Sequence, residues 1–248
     1  MQTNRNHHCN KDQNCLAVDK KLIYNCSKNN FRIKLLETEK DKYLAYQLRK
    51  EIFCDELNWV SCANKKIEVD DYDKKSYIFG VIDGYDDIIG TVRVIHASES
   101  MMIEKEFLLL LSPEYRIRKE TDTAEASRLC VRSSIDSMKK TKISHALYYA
   151  TYKWCLLHEI RYLYIVVEKK MYRNLNRIGF SCHCVGPTVI MPDGTHCIAA
   201  IIDWKEFDQT TCFGMDGLLH KIKVISGNAV TQRLIADRNE SIYDCSAS

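Results

Sequence analysis

No stretch of this chain approaches the roughly 18–20 consecutive apolar residues that a membrane-crossing helix needs, so no integral membrane segment is expected. The opening run MQTNRNHHCNKDQNC has no apolar core of the kind a secretory leader carries, which points to a cytoplasmic protein. An excess of one charge is missing too. The formal net charge is +3, which gives no general argument for nucleic-acid or membrane-surface binding, and no nucleic-acid motif accompanies the basic residues. There is no internal repeat.

Metal motifs are also lacking. Cys182-His183-Cys184 with His196-Cys197 downstream has no standard zinc spacing, which separates paired ligands by two to four residues. Alternation along strands explains Cys182, Cys184 and Cys197 as well. The carboxylates of IEVDDYD (67–73) do not make a calcium loop, which needs a glycine after the spaced carboxylates and a glutamate at the end; Lys74 and Lys75 occupy that region instead. No metal ligand and no resident cofactor is therefore assigned.

What is present is an ordinary globular composition. The 248 residues are 46% hydrophobic and 28% charged, enough for one large domain or two small ones. Twelve cysteines are many, but a reducing compartment keeps thiols free, and most are expected to serve as small buried hydrophobes.

Residues 1–30 are polar and aperiodic and read as a flexible extension. FRIKLLE (31–37) alternates as a strand does, and KDKYLAYQLRKEIFCDEL (40–57) has the apolar spacing of one amphipathic helix. SYIFGVID and IIGTVRVIH form a hairpin around Gly84–Asp87, and AEASRLCV (124–131) is a third strand. SHALYYATYKWCLLHEI (144–160) is a long helix with Ser144 as its N-cap. YLYIVV (162–167) is a buried strand, and KKMYRNLNRIGF is a helix ended by Gly179. CVGPTVIM and HCIAAIIDW make a second hairpin around Pro192–Thr195, and one or two short helices follow Trp204. The order predicts an α/β (α+β) domain over 31–205, its central mixed, mostly antiparallel sheet flanked by helices as in acetyltransferase-like (GNAT) three-layer folds. A helical extension follows over 206–248.

IEVDDYD packs four carboxylates into seven positions. A metal loop, a solvated turn or a pocket for a cationic ligand are the competing explanations. Arg49 lies beside an apolar helix stripe, Arg93 inside a strand, and Glu125 and Arg128 flank Ser127 in another strand. Such charges are costly to bury unless paired, and Asp70 and Asp73 are available partners. The set reads either as an ion-pair network under a loop or as a cradle for a zwitterion, whose carboxylate would face guanidinium groups. Trp59 could stand against a cation as an aromatic wall.

In order, LRKEIFCDELNW, EVDDYD, GTVRV, MMIEKEF and EASRLCV resemble the conserved blocks of the acyl-homoserine lactone synthases, the LuxI-type autoinducer synthases. Leu48, Arg49, Phe53, Trp59, Glu68, Asp70, Tyr72 and Asp73 meet the family's first signature. The later blocks supply Arg93, Glu125, Ser127 and Arg128. A sister group, the N-acyl amino acid synthases, shares YQLRKEIFCDEL-like and AE-x-SRL-like segments; Trp59 and the full acidic pattern favour the lactone synthases.

The resemblance implies acyl transfer from an acyl-acyl carrier protein to the amine of S-adenosylmethionine, then lactonisation with release of methylthioadenosine. It implies Glu125 as the base, directly or through a water, and leaves Ser127 either as a polar wall of the catalytic site or simply as a strand residue. Arg49, Phe53 and Trp59 would shape the adenosylmethionine site, and Asp70, Asp73, Arg93 and Arg128 would fix it. The acyl-phosphopantetheine would arrive on the donor protein. The acyl tunnel is expected from SHALYYATYKW, YLYIVV and CVGPTVIM. Lys139, Lys140, Lys142, Lys169, Lys170, Arg173 and Arg177 would dock the acidic carrier. A free amino acid as acceptor, or a non-catalytic acyl-binding module, are the alternatives.

Overall fold

The computed structural model describes residues 23–26, 31–62, 65–207 and 222–224. Strands β1 (Ile23–Cys26), β2 (Phe31–Leu35), β3 (Tyr77–Asp83), β4 (Ile88–His96) and β5 (Thr123–Val131) form successive antiparallel pairs. Helix α1 (Glu39–Arg49) joins β2 towards β3, and α2 (Ser137–Leu157) joins β5 to β6 (Tyr162–Glu168). Helix α3 (Lys169–Arg177) follows at once. Then come β7 (Cys182–Cys184), β8 (Val189–Ile190), β9 (His196–Asp203) and β10 (Ile222–Val224). The sheet order is β10-β1-β2-β3-β4-β5-β6-β9-β7, with β8 also on β9. Among the described strands only β5 and β6 run parallel, because the long α2 crossover returns the chain in the same direction.

The layers follow from alternation along the strands. One face, with Phe79, Val81, Val92 and Val94, packs against α2 residues Ile143, Leu147 and Ala150. The other face, with Ile78, Ile82 and Ile88, receives α1 through Ala45 and Leu48 and, just beyond it, Ile52 and Phe53. Burying each of the larger side chains contributes roughly 1.5–3 kcal/mol. This is the expected three-layer, mostly antiparallel arrangement.

Several local expectations change. The first helix is not uniform: α1 ends at Arg49, and Lys50–Glu56 winds as a π-helix, with Leu57 N–H reaching Ile52 O at 2.9 Å. Thr38 caps α1 by accepting from Asp41 N at 3.1 Å. Helix α2 begins at Ser137, not Ser144, because the Asp136 carboxylate caps it by accepting from Lys139 N at 2.9 Å. CVGPTVIM is two short strands rather than one. Between them Gly186 lies so close to the Leu110–Ser112 backbone that a Cβ would sit 2.1 Å from Leu110 O. The chain there bonds sideways, Ser112 N to Val185 O at 3.1 Å. Within the two ends read as extensions, Ile23–Cys26 and Ile222–Val224 are strands: β1 pairs with β2 and, on its other side, β10 pairs with β1, so Ile222–Val224 is not helical. Cys54 and Cys62 form a disulfide, Cα–Cα 5.9 Å, where free thiols are expected, while Cys130, Cys155 and Cys182 are free and buried.

Two features open the sheet beside β5. Register between β4 and β5 shifts between Thr91 and Arg93, leaving an extra residue on β5, and Arg128 takes a left-handed φ of 52°. Pairing of β5 with β6 stops at Ala126↔Ile165, although both strands continue. Past that point they diverge and leave a cleft.

Candidate active site

Three arginines from three elements meet three carboxylates from one short segment. Arg49 Nη1 and Nη2 bond Asp73 Oδ1 and Oδ2 at 2.6 and 3.0 Å, and Arg49 also pairs with Glu68. Arg128 donates from Nε to Glu68 Oε1 at 3.1 Å and from Nη2 to Asp70 Oδ2 at 3.1 Å. Arg93 Nη1 pairs with Asp70 and lies 3.0 Å from Asp73 Oδ1. The chain of contacts closes: Arg49, Glu68, Arg128, Asp70, Arg93, Asp73 and back to Arg49. Positive and negative charges alternate around this ring and cancel.

The spacing Glu68-Val69-Asp70-Asp71-Tyr72-Asp73 makes the ring possible. Asp70 caps a 3₁₀ turn at Asp71–Lys75 by accepting from Tyr72 N at 3.0 Å, and Asp73 Oδ2 accepts from Asp70 N at 2.9 Å. This reciprocal cap fixes where both carboxylates point. Asp71 faces outward and pairs with Lys74 at 2.7 Å, so only one of the four acids is a solvated turn residue. Arg49 and Arg93 are wholly buried. Burial pushes the Asp73 pKa up, but the hydrogen bonds and charge of Arg49, with the charge of Arg93, outweigh it and hold the carboxyl below its ordinary value. Burial likewise disfavours charge on Arg49, yet Asp73 and Glu68 raise its pKa on balance. Loss of any one member would strand a buried opposite charge.

A cavity of about 910 Å³ fills the cleft between the diverging strands. Phe53, Trp59 and Ser127 line it, with Ala126 and Cys130 of β5, Tyr148 and Thr151 of α2, and Val166 and Val167 of β6. CVGPTVIM contributes no lining residue; Phe180, Ile202 and Trp204 close that side instead. Phe53 stacks on Trp59 at 6.2 Å and lies under the Arg128 guanidinium at 5.7 Å, linking ring to cavity. The π-helix makes this contact, because Phe53 O accepts both Trp59 N and Val60 N, at 2.9 and 3.2 Å. Lys169, Lys170, Arg173 and Arg177 of α3 stand at the rim; Lys139, Lys140 and Lys142 do not line it. The Cys130 thiol is pushed up to about 12 by burial, so it is no nucleophile near neutral pH.

Glu125 shares the ring's face of the sheet, two residues before Ser127 on β5, but does not line the cavity. Its Oε1 accepts from Ile103 N at 3.1 Å and its Oε2 from Met102 N at 2.5 Å. Burial raises its pKa to about 7 against the lowering effect of those two bonds. Ser127 Oγ accepts from Arg93 Nε at 3.0 Å. Sequence reasoning gave Glu68 and Met102 no role. Glu68 was visible as the first acid of the acidic pattern; Met102 carried no polar signal. Among the described residues, no three histidines, cysteines or acids are grouped to hold a metal ion.

The family model described as autoinducer synthase matches residues 33–210. An acyl-homoserine-lactone synthase of Aliivibrio fischeri is 27% identical over 143 residues, 56% of this chain and 73% of that protein. Among solved structures, the acyl-homoserine lactone synthase LasI superposes with a TM-score of 0.66 at 18% identity, over 74% of this chain and 95% of its own. The CoA-dependent acyl-homoserine lactone synthase BjaI, solved with SAM and isopentyl-CoA, gives 0.62 at 20% identity, over 73% and 83%.

Proposed function

The chain belongs to the autoinducer synthase family, and from that premise we propose that it moves a fatty acyl group from acyl-acyl carrier protein to the amine of S-adenosylmethionine. The product closes to an N-acyl-homoserine lactone and methylthioadenosine leaves. The observation that carries the reading is the closed charge ring abutting an apolar cavity through Phe53 and Trp59.

The acceptor is a zwitterion with an extra sulfonium charge. Asp70 and Arg128 are the ring members with the most exposed side chains, 23% and 14%. They are the groups that meet its ammonium and carboxylate, while Arg49, Arg93 and Asp73 hold them in place. Trp59 and Phe53 stand against the sulfonium and adenine. The acyl chain lies between α2 and β6, among Tyr148, Thr151 and Val167.

In the first step the amine nitrogen attacks the thioester carbonyl, and the C–S bond breaks to release the carrier's thiol. Glu125 accepts the amine proton through an intervening water and returns it to the leaving sulfur; a carboxyl near 7 suits both directions. Ser127 supplies a polar wall at the cleft. Backbone N–H groups of β6 beyond Ile165, past the last β5 pair, stabilise the oxyanion. In the second step the acceptor's own carboxylate oxygen displaces the sulfonium carbon–sulfur bond, which closes the lactone.

The α3 cations at the cavity rim suit the acidic surface of a carrier protein. Mass spectrometry of lipid extracts from cells expressing the chain tests the acceptor. Acyl-homoserine lactones support the reading. Acylated amino acids would replace it with an N-acyl amino acid synthase. Purified chain offered the same acyl group on carrier protein and on CoA tests the donor; equal kcat/KM for both would remove the carrier preference.

A further inference from the structure

Arg93 is wholly buried, so none of its N–H groups can turn to water. Its Nε goes to Ser127 and its Nη1 to Asp70 and Asp73. Its Nη2 points to the Met102 thioether at 2.9 Å, and the same sulfur lies 3.7 Å from Arg128 Nη1. A thioether is a weak acceptor. It nevertheless sits between the two guanidinium groups.

The turn carrying that sulfur is tied down on each successive amide. Glu104 Oε2 accepts Met101 N at 2.6 Å, and Glu125 accepts Met102 N and Ile103 N. Lys119 pairs with Glu104 at 2.9 Å and donates to Glu99 O at 2.7 Å. Such a fixed backbone leaves Met102 little freedom except along its own side chain.

We propose that Met102 is a positioning residue for the amine-donor site. Its sulfur completes the bonding of Arg93 and sets the angle of Arg128, the guanidinium that lies over Phe53, and Glu125 holds the sulfur in place by capping its turn. The kinetic part of this proposal rests on the acceptor reading given above; the structural part does not.

If Met102 only fills space, leucine replaces it without loss. If the acceptor matters, glutamine, whose amide oxygen accepts more strongly, restores what leucine loses. Met102→Leu and Met102→Gln are compared in the full chain. The leucine variant is expected to raise KM for S-adenosylmethionine about ten-fold with kcat within about two-fold, the pattern of lost uniform binding. The glutamine variant is expected to return KM to within about three-fold of the parent. In ¹⁵N–¹H spectra of the arginine side chains, the slowly exchanging Nη signals of Arg93 broaden in the leucine variant and persist in the glutamine variant. Unchanged KM and spectra in the leucine variant, or a glutamine variant as impaired as leucine, overturn the proposal. A parent chain that never consumes S-adenosylmethionine overturns the acceptor reading instead, and the spectra then decide Met102 alone.

Discussion

Arg49 and Asp73, 24 residues apart, meet as a two-point pair at 2.6 and 3.0 Å inside the protein, one on a helix and the other on a turn it never touches in sequence. Neither is free to leave. Arg49 is also held by Glu68 and Asp73 by Arg93, so this contact is one link in a closed ring of six charges.

Removing one member should therefore cost far more than removing a surface pair. Asp73→Asn is expected to lower unfolding free energy by about 3–5 kcal/mol, because it leaves buried guanidinium groups undercompensated. Asp71→Asn, two residues away and paired outward with Lys74, is expected to change it by less than about 0.5 kcal/mol. Urea unfolding of both variants checks the contrast. Equal effects would mean that the ring is not a unit.

Glu125 makes a prediction in pH. Its folded pKa is raised from 4.5 to about 7 by burial. Its contribution is thus fully favourable below about pH 4.5 and is lost as pH rises through about 7, up to roughly 3 kcal/mol. Asp73 has the opposite sign: its depressed pKa gives stability present above about pH 3.8 that disappears as pH falls through the lower folded value. Glu125→Gln should flatten the decline between about pH 5 and 8 and leave the acid limb intact. As a proton acceptor, Glu125 should also make turnover rise with pH through about 7, and the glutamine variant should lose about 100-fold or more in kcat. Equilibrium unfolding and kcat profiles across pH measure the two separately. Full turnover in the glutamine variant removes the base assignment.

Much of this site could be read in the sequence because its charges are expensive. Arg93 and Arg128 stand inside strand patterns, and Arg49 beside an apolar helix stripe, so each demanded a partner; the acidic segment was the available supply. The succession of strands and helices along the chain followed from alternation, helical spacing and turn residues, which act locally. What escaped depends on distant contacts. The shift to a π-helix at Lys50 serves the packing of Phe53 on Trp59. The break between β7 and β8 comes from the Leu110–Ser112 backbone pressing on Gly186. The start of α2 was hidden because Ser137–Lys142 is polar and shows no apolar face. The sequence put Glu125 and Ser127 in one strand, but nothing local pointed to the turn at Met101–Ile103 that covers Glu125 and spares Ser127.

The α3 rim offers a third test. Reversing Lys169, Lys170 and Arg173 to glutamate together is expected to lower kcat/KM for an acyl-carrier-protein donor about 10–100-fold and to flatten its salt dependence. A small acyl-pantetheine donor should be affected several-fold less. If both donors suffer equally, these cations shape the cavity rather than receive a partner.

The central claim is that ring and cavity together hold S-adenosylmethionine against an acyl thioester. Its most direct test incubates purified chain with acyl-acyl carrier protein and S-adenosylmethionine, and quantifies methylthioadenosine and N-acyl-homoserine lactone in the same sample by mass spectrometry. The expected result is equimolar formation of both, abolished by Arg93→Gln or Asp70→Asn in protein that remains folded. Acyl transfer without methylthioadenosine, or undiminished transfer in those two variants, would contradict it.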